Sequence, residues 1–277
     1  MDQPFFTIFT PIFNGANHFE RVSKSVNSQL FKNFEWIIVN DGFTDNTAEL
    51  VRHFIKNNPQ IDIKYIEQKN LGKHIAWNNA LLVAKGKFFV PADADDSFIP
   101  ETLQFFHTKW IHLNAGLQNK LSGINVLCYD NDSASIVGNL FPEDAFITNN
   151  LQLFYKYKVV GEKWGCIRTD LLKDRPFPNI EGSFFPESYL WYSLAKNFNV
   201  ICYNTPLRRY FSTPNSLTSL STIRMRTKKM ARIYLKYNTW FLKNFGLYAL
   251  KYSPYNVGSF FYHIIMDILL LINPFKK

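Results

Sequence analysis

Hydrophobic and polar positions alternate between two patterns over the first hundred residues. Dense apolar or β-branched runs predict buried strands at Phe5 to Phe13, Phe34 to Val39, Ile61 to Ile66 and Lys87 to Ala92. Apolar residues at helical spacing predict helices at Asn17 to Leu30, Asp45 to Ile55 and Gly72 to Ala84, with another starting at Pro100. This alternation predicts an α/β fold with a mostly parallel sheet and helices on both faces.

The pattern loosens after about residue 120 and changes character again near the C-terminus. Strands are predicted at Asn125 to Tyr129, Val159 to Ile167 and Val200 to Tyr203, and a helix at Glu187 to Lys196. Basic and apolar residues interleave from Thr222 to Phe245, which predicts a basic amphipathic helix. The apolar run from Ile264 to Ile272 contains Asp267 and is shorter than the ~20 residues of a membrane-spanning helix, so we do not expect it to span.

Polar side chains follow three of the predicted strands at their carboxyl ends. They are Phe13-Asn14 after the first strand, Asn40-Asp41 after the second, and Asp93 to Asp96 after the fourth. Because ligands of open α/β sheets bind at the carboxyl ends of the strands, these residues are expected to meet in one crevice.

Asp93, Asp95 and Asp96 are the strongest candidates for a metal site. Carboxylates this close repel one another unless a cation lies among them, and oxygen ligands suit Mg²⁺ or Mn²⁺ bound with substrate phosphates. The alternative is that Asp95, Asp96 or Ser97 caps the helix near Pro100. Asp41 is placed to accept hydrogen bonds from a nucleobase or ribose, although Asp41-Gly42 is also a strong turn signal.

The chain contains neither G-x-G-x-x-G nor a P-loop, which disfavours dinucleotide oxidoreductases and ATPases.

Four ordered segments resemble the family 2 glycosyltransferases. They are Phe6 to Asn14, Phe34 to Thr47, Asn70 to Lys73 with Asn78, and Lys87 to Asp96, which ends in the Asp-x-Asp motif. The chain departs from the family pattern at Asn40, Phe43 and Trp77.

The resemblance implies a GT-A fold, inverting transfer, and a set of site residues. By position, Asp41 contacts the base, Asp93 the ribose or base side, and Asp95 the metal, with Asp93 as a second metal ligand. The remaining nucleotide-sugar contacts implied are Pro11, Phe13, Asn14, Lys73, Asn78 and Ala94. Residues 1–115 then form the nucleotide-sugar half, residues 116–215 the acceptor and catalytic-base half, and residues 216–277 a C-terminal helical extension.

A catalytic base is needed to take the proton of the acceptor hydroxyl. The segment Phe184 to Trp191 resembles the part of the family that supplies it, with Glu187 in the position of the base and Pro186 replacing an acid. Glu187 could instead be a first-turn acid stabilised by the helix dipole. Glu181 and Asp170 are the next candidates.

The composition of the chain indicates its cellular compartment and its binding partners. The 277 residues carry a formal net charge of +9 and three widely spaced cysteines, and these suggest a basic surface and a reducing, cytoplasmic compartment. The basic helix and apolar tail predict peripheral contact with an anionic membrane at its inner face, although packing on the domain or on a second subunit is the alternative. Because no nucleic-acid module pattern appears, nucleic acid is not an expected partner.

The sequence therefore predicts a Mn²⁺- or Mg²⁺-dependent transferase. Its substrates would be a nucleotide-sugar, with UDP-sugar preferred, and a glycan or lipid-linked saccharide in surface polysaccharide synthesis. The alternative is a catalytically degenerate transferase that binds a glycan or nucleotide-sugar. A sugar-1-phosphate nucleotidyltransferase is disfavoured because Pro11 to Gly15 is not a glycine-rich phosphate loop.

Overall fold

A computed structural model describes residues 3–42, 44–180, 184–211 and 227–272. Three sites of sequence-based expectations lie outside these described residues: Phe43, Glu181 and the start of the basic helix at Thr222 to Arg226.

The strands of the described chain form a single ten-stranded sheet. They are β1 (Phe6–Ile12), β2 (Phe34–Asn40), β3 (Asp62–Glu67), β4 (Phe88–Pro91), β5 (Ser97–Phe98), β6 (Leu121–Asp130), β7 (Ser135–Ile136), β8 (Phe146–Thr148), β9 (Lys163–Arg168) and β10 (Asn199–Tyr210). Their order is β3-β2-β1-β4-β9-β6-β10-β5, with β7 beside β6 and β8 beside β10. The sheet runs without a break from the first half of the chain into the second.

Helices connect the strands and cover both faces of the sheet. They are α1 (Phe19–Asn27), α2 (Thr47–Asn57), α3 (Lys73–Val83), α4 (Thr102–Ile111), α5 (Ala115–Lys120), α6 (Asn150–Tyr155), α7 (Thr169–Lys173), α8 (Ser188–Leu194), α9 (Lys228–Tyr252) and α10 (Pro254–Ile272). Alternate residues of β1 divide between two cores, with Ile8 in the core that includes α1 and α4 and Phe9 in the core that includes α3 and α8. This division follows from the two-residue period of a strand.

The sheet is mixed, and its longest ladders are parallel, as the expectation of a mostly parallel sheet required. β1, β2, β3 and β4 pair in parallel, as the βα alternation predicted. β9 runs antiparallel between β4 and β6. The alternation weakens in the second half of the chain, so local pattern carried no information about the direction of β9.

The two C-terminal helices pack against each other, and α9 also packs on the domain. Ile233 and Tyr237 of α9 join the core beside α3 and α8, while Phe241 packs with Tyr155 and Tyr192. The apolar face of this basic helix is therefore buried by protein, as the alternative interpretation of the sequence allowed. The final apolar run belongs to α10, a 19-residue helix that by length and composition alone is a candidate membrane span.

Candidate functional site

The carboxyl ends of β1, β2 and β4 lie side by side because these strands pair in register. Ile12 lies opposite Asn40, and the amide of Asp41 donates to the Ile12 carbonyl at 2.9 Å. On the other side of β1, the amide of Ala92 donates to the Phe9 carbonyl at 2.7 Å. The polar segments that follow the three strands thus share one edge of the sheet, as the sequence predicted.

Asp41 is buried and fastens the loop that leads into α3. Its Oδ1 accepts hydrogen bonds from Gln68 Nε2 at 2.7 Å and from the Leu71 amide at 2.8 Å. Its Oδ2 accepts from the Gly72 amide at 3.0 Å, and Gly72 has a φ of 98° that a side chain rarely adopts. In this conformation Asp41 fixes the start of α3 and therefore the position of Lys73.

Lys73 links the acidic motif after β4 to the start of α8. Its Nζ lies 2.7 Å from Asp93 Oδ1 and 2.8 Å from Glu187 Oε1. Burial alone would lower the pKa of Lys73, but the two carboxylates outweigh it and raise this pKa far above its usual value. Lys73 is accordingly a permanent cation between residues that lie 94 positions apart in the sequence.

Arg208 of β10 is a second buried cation in this cluster. It donates to Asp96 Oδ2 through Nη2 and, at 2.8 Å, through Nε, and Nη2 lies 3.3 Å from Asp93 Oδ2. Its Nη1 lies 3.0 Å from Glu162 Oε1. Burial would raise the pKa of Asp93, but Lys73 and Arg208 hold it below its usual value.

Arg208 and Glu162 were not among the site residues predicted from the sequence. Arg208 has an arginine neighbour in the same strand, Arg209, so the local sequence does not show which of the two is buried against carboxylates.

The acidic turn suits a metal shared with a diphosphate better than a metal held by protein alone. Among the described residues, no three His, Cys, Asp or Glu side chains gather as a metal-binding group. The oxygens of Asp93 face Lys73 and Arg208, and Asp96 is bound by Arg208. Mg²⁺ and Mn²⁺ are usually held by one or two carboxylates and substrate phosphates, so the carboxylates of this turn fit such an ion.

Arg21 of α1 contacts the same acidic turn from the other side. Its Nη1 donates to the carbonyl of Asp95, and its guanidinium lies 3.8 Å from the centre of the Phe211 ring. The amide of Phe211 donates to Asp96 Oδ1 at 3.4 Å. The backbone around Asp95 is therefore held by groups that sequence analysis did not single out.

A cleft of about 320 Å³ opens beside this cluster. Lys73, Asp93, Glu187 and Arg208 all line it, together with residues of β6, β9, α6 and α8. Ligand pockets in proteins begin at roughly this volume. The predicted catalytic base and the first acid of the Asp-x-Asp motif thus face the same space.

The other predicted residues divide between the edge of the sheet and the protein interior. Phe13 is exposed, and Asn14 has a φ of 48° and accepts the Thr44 amide at 2.8 Å. Pro11 and Ala94 are partly exposed at the ends of their strands. Asn78 instead exchanges two hydrogen bonds of 2.9 Å with the backbone of Phe177, so its amide is engaged within the protein. Asp170 pairs with Arg168 at 2.6 Å and does not line the cleft.

Comparison with known proteins adds to this geometry. Residues 7–116 match the sequence model of Glycosyl transferase family 2. The chain is therefore similar to this family over residues 7–116. It is 25% identical over 226 residues to the putative teichuronic acid biosynthesis glycosyltransferase TuaG of Bacillus subtilis, and the alignment covers 78% of this chain and 82% of TuaG.

Solved structures show that this chain has the GT-A fold. S. aureus TarS (residues 1–349, in complex with UDP-GlcNAc) superposes with a TM-score of 0.63 at 21% identity, over 86% of this chain and 66% of TarS. The mannosyltransferase PcManGT of Pyrobaculum calidifontis, in complex with GDP-Man and Mn²⁺, gives 0.63 at 18% identity over 97% and 74%. The chain spans only 27%, 16% and 10% of three other curated relatives, which are 30 to 35% identical over 94 to 111 residues.

Proposed function

We propose that this protein transfers a sugar, with inversion, from a nucleoside-diphosphate sugar to a hydroxyl of a glycan or lipid-linked saccharide. A UDP-hexose or UDP-N-acetylhexosamine is the expected donor. The observation that carries the proposal is the Lys73 bridge, because it joins Asp93 of the Asp-x-Asp motif to Glu187 across one cleft. A transferase of this kind needs a donor site and a base that face the same cleft.

Glu187 is the proposed general base. It stands at the N-terminal end of α8, is partly exposed, and lines the cleft. Its carboxylate would take the proton of the acceptor hydroxyl as the oxygen attacks the anomeric carbon from the face opposite the leaving diphosphate. Because the acceptor attacks directly, no nucleophilic side chain on the enzyme is required.

The remaining residues of the edge are proposed to bind the donor. Phe13 and Asn14 flank the nucleoside together with Pro11, and Asp41 lies beside them. Asp95 would hold a Mn²⁺ or Mg²⁺ ion, which when bound would stabilise charge on the leaving diphosphate. Asp93 is the second proposed ligand of that ion, and its oxygens also contact Lys73 and Arg208.

The two halves of the domain are proposed to bind different substrates. Residues 1–115 would bind the nucleotide-sugar and residues 116–215 the acceptor, and residues 216–277 would form the extension. The three cysteines are buried and free, which supports a reducing cytoplasmic compartment. A lipid-linked acceptor would place the enzyme at the inner face of the cell membrane in surface polysaccharide synthesis.

The test is nucleotide release from UDP-, GDP- and dTDP-sugars, with Mn²⁺ and with chelator, in wild type, Asp95→Ala and Glu187→Gln. Metal-dependent release from one donor, lost in Asp95→Ala, is expected. Because water can replace the acceptor without a base, Glu187→Gln is also tested for transfer to acceptor.

If no donor is hydrolysed and no nucleotide-sugar binds with or without metal, the proposal is wrong. Binding without turnover, even with acceptor present, would support the alternative of a degenerate binding subunit.

A further inference from the structure

The outward face of α10 is an uninterrupted apolar stripe. Its exposed positions recur every three or four residues, so they lie on one side of the helix. They are Tyr255, Gly258, Phe261, Tyr262, Ile265, Ile268, Leu269 and Ile272. None carries a charge, whereas the outer face of a helix on a soluble domain is normally polar.

The opposite face of α10 is already used in packing. Val257 is 8% exposed, and the ring of Phe260 stacks on Phe241 of α9 with centroids 4.5 Å apart. Asp267, the acid of this helix, is 1% exposed. Because α9 packs on the opposite face of α10, the outward stripe is not the surface that α9 covers. An apolar patch of this extent marks an interaction site.

Charge on the same helical hairpin indicates the partner. Five exposed side chains of α9 are cationic: Lys229, Arg232, Lys236, Lys243 and Lys251. The sequence of α9 contains no Asp or Glu, and Asp267 of α10 is buried. The exposed surface of the hairpin thus combines apolar and cationic side chains without an exposed acid, which is complementary to anionic lipid headgroups above hydrocarbon.

We propose that α10 lies flat in the interface of an anionic lipid bilayer, with its outward stripe inserted and the cations of α9 near the headgroups. At 1.5 Å per residue, 19 residues could also cross the hydrocarbon, which is roughly 30 Å thick. A crossing would draw the cations of α9 into hydrocarbon, because α10 packs against α9. The structure therefore favours the flat arrangement.

This surface narrows the expectation from the sequence, which assigned the membrane contact to the basic helix and the apolar tail together. The apolar face of α9 packs on protein, although Leu247 and Leu250 are exposed, and α10 carries the continuous lipid-facing stripe. The proposal does not depend on the transfer reaction, although a membrane-lying hairpin fits a lipid-linked acceptor.

The test is flotation of the full chain with vesicles of phosphatidylcholine alone or mixed with phosphatidylglycerol. The stripe variant is Ile265→Glu with Leu269→Glu, and the charge variant is Lys236→Gln with Lys243→Gln. The matched control places glutamate at two exposed apolar positions elsewhere, Leu30→Glu and Ile111→Glu. Far-UV circular dichroism and the urea midpoint without lipid check that each variant is folded, so this test does not depend on the transfer reaction.

Wild type and control are expected to float with phosphatidylglycerol vesicles. Binding should fall roughly tenfold or more in the stripe variant, and also in the charge variant or when NaCl rises from about 0.1 to about 0.5 M. Failure of wild type to bind, or equal binding by the stripe variant, overturns the proposal. Binding that resists alkaline carbonate would also overturn the proposal, because it indicates a spanning helix. A stable dimer in solution that the stripe variant abolishes would overturn it as well.

Discussion

The ammonium of Lys73 lies 2.8 Å from the carboxylate of Glu187, although the two residues belong to different halves of the fold. The same ammonium contacts Asp93 at 2.7 Å, so one cation connects the proposed donor site with the proposed base. Lys73 is in turn held by Asp41 through the start of α3. Residues that the sequence placed at four separate motifs are therefore connected through Lys73.

Removing the cation in Lys73→Met should lower the rate of transfer about 10- to 100-fold. A hydrogen bond to a charged group contributes roughly 1.5–3 kcal/mol, which corresponds to that range of rates. Steady-state transfer and donor binding by calorimetry would be measured together, with Lys73→Arg expected to recover part of the loss. Lys24→Met is the control, because Lys24 forms an exposed pair with Glu20. Unchanged transfer and unchanged donor affinity in Lys73→Met would contradict the prediction.

Replacing the proposed base in Glu187→Gln should reduce transfer by about 10²- to 10⁴-fold, the usual contribution of general base catalysis. Donor affinity should change much less, since Glu187 is proposed to act on the acceptor. Asp170→Asn provides a control, because Asp170 was an alternative base in the sequence but pairs with Arg168 outside the cleft. A larger loss in Asp170→Asn than in Glu187→Gln would assign the base differently.

Arg208→Met should destabilise the fold by about 3–5 kcal/mol, the cost of breaking a buried ion pair from one side. The Arg208 side chain is 7% exposed and faces Asp93, Asp96 and Glu162. Urea unfolding at neutral pH would measure the change. The adjacent variant Arg209→Met should cost roughly 0.5 kcal/mol or less, because Arg209 is exposed and only rests over Tyr129. If the two substitutions lower the free energy of unfolding equally, Arg208 is not the central cation of the cluster.

The first four strands and their helices were predictable because their patterns are local. Hydrophobic periodicity of two or 3.6 residues is encoded within each segment, and strand ends then follow from parallel pairing. The direction of β9 was not predictable, since nothing within Lys163 to Arg168 specifies which neighbours it will have. The same limit applies to Arg208, which contacts Asp96 across 112 positions of sequence.

Two site predictions illustrate what a motif alone cannot distinguish. Asp41 was assigned both a turn role and a ligand role, but its carboxylate accepts hydrogen bonds from the Leu71 and Gly72 amides, about 30 positions away in the sequence. Asn78 matched a family position, yet its amide pairs with the backbone of Phe177. A motif identifies the residue type at a position, but the partner of the side chain depends on tertiary packing.

His74 should make the fold less stable as the pH falls below about 6.5, the ordinary pKa of histidine. Burial lowers the pKa of His74, and repulsion from Lys229 adds to this, against the opposing effects of the Ile180 hydrogen bond and Asp41. A depressed pKa in the fold favours the neutral ring, so this stability is present above pH 6.5 and is lost as the pH falls through the folded-state value. Its Nε2 donates to the carbonyl of Ile180 at 2.7 Å, so His74→Gln keeps a donor nearby.

The measurement is the urea midpoint of wild type and His74→Gln at several pH values from 8 to about 5. The substitution is expected to cost stability at pH 8, where the ring is neutral in both folded and unfolded chains. The difference between the two proteins should then shrink toward pH 5, because only wild type must exclude a proton from this site. A difference that stays constant, or grows, as the pH falls would show that the buried His74 ring is not what makes the fold sensitive to acid.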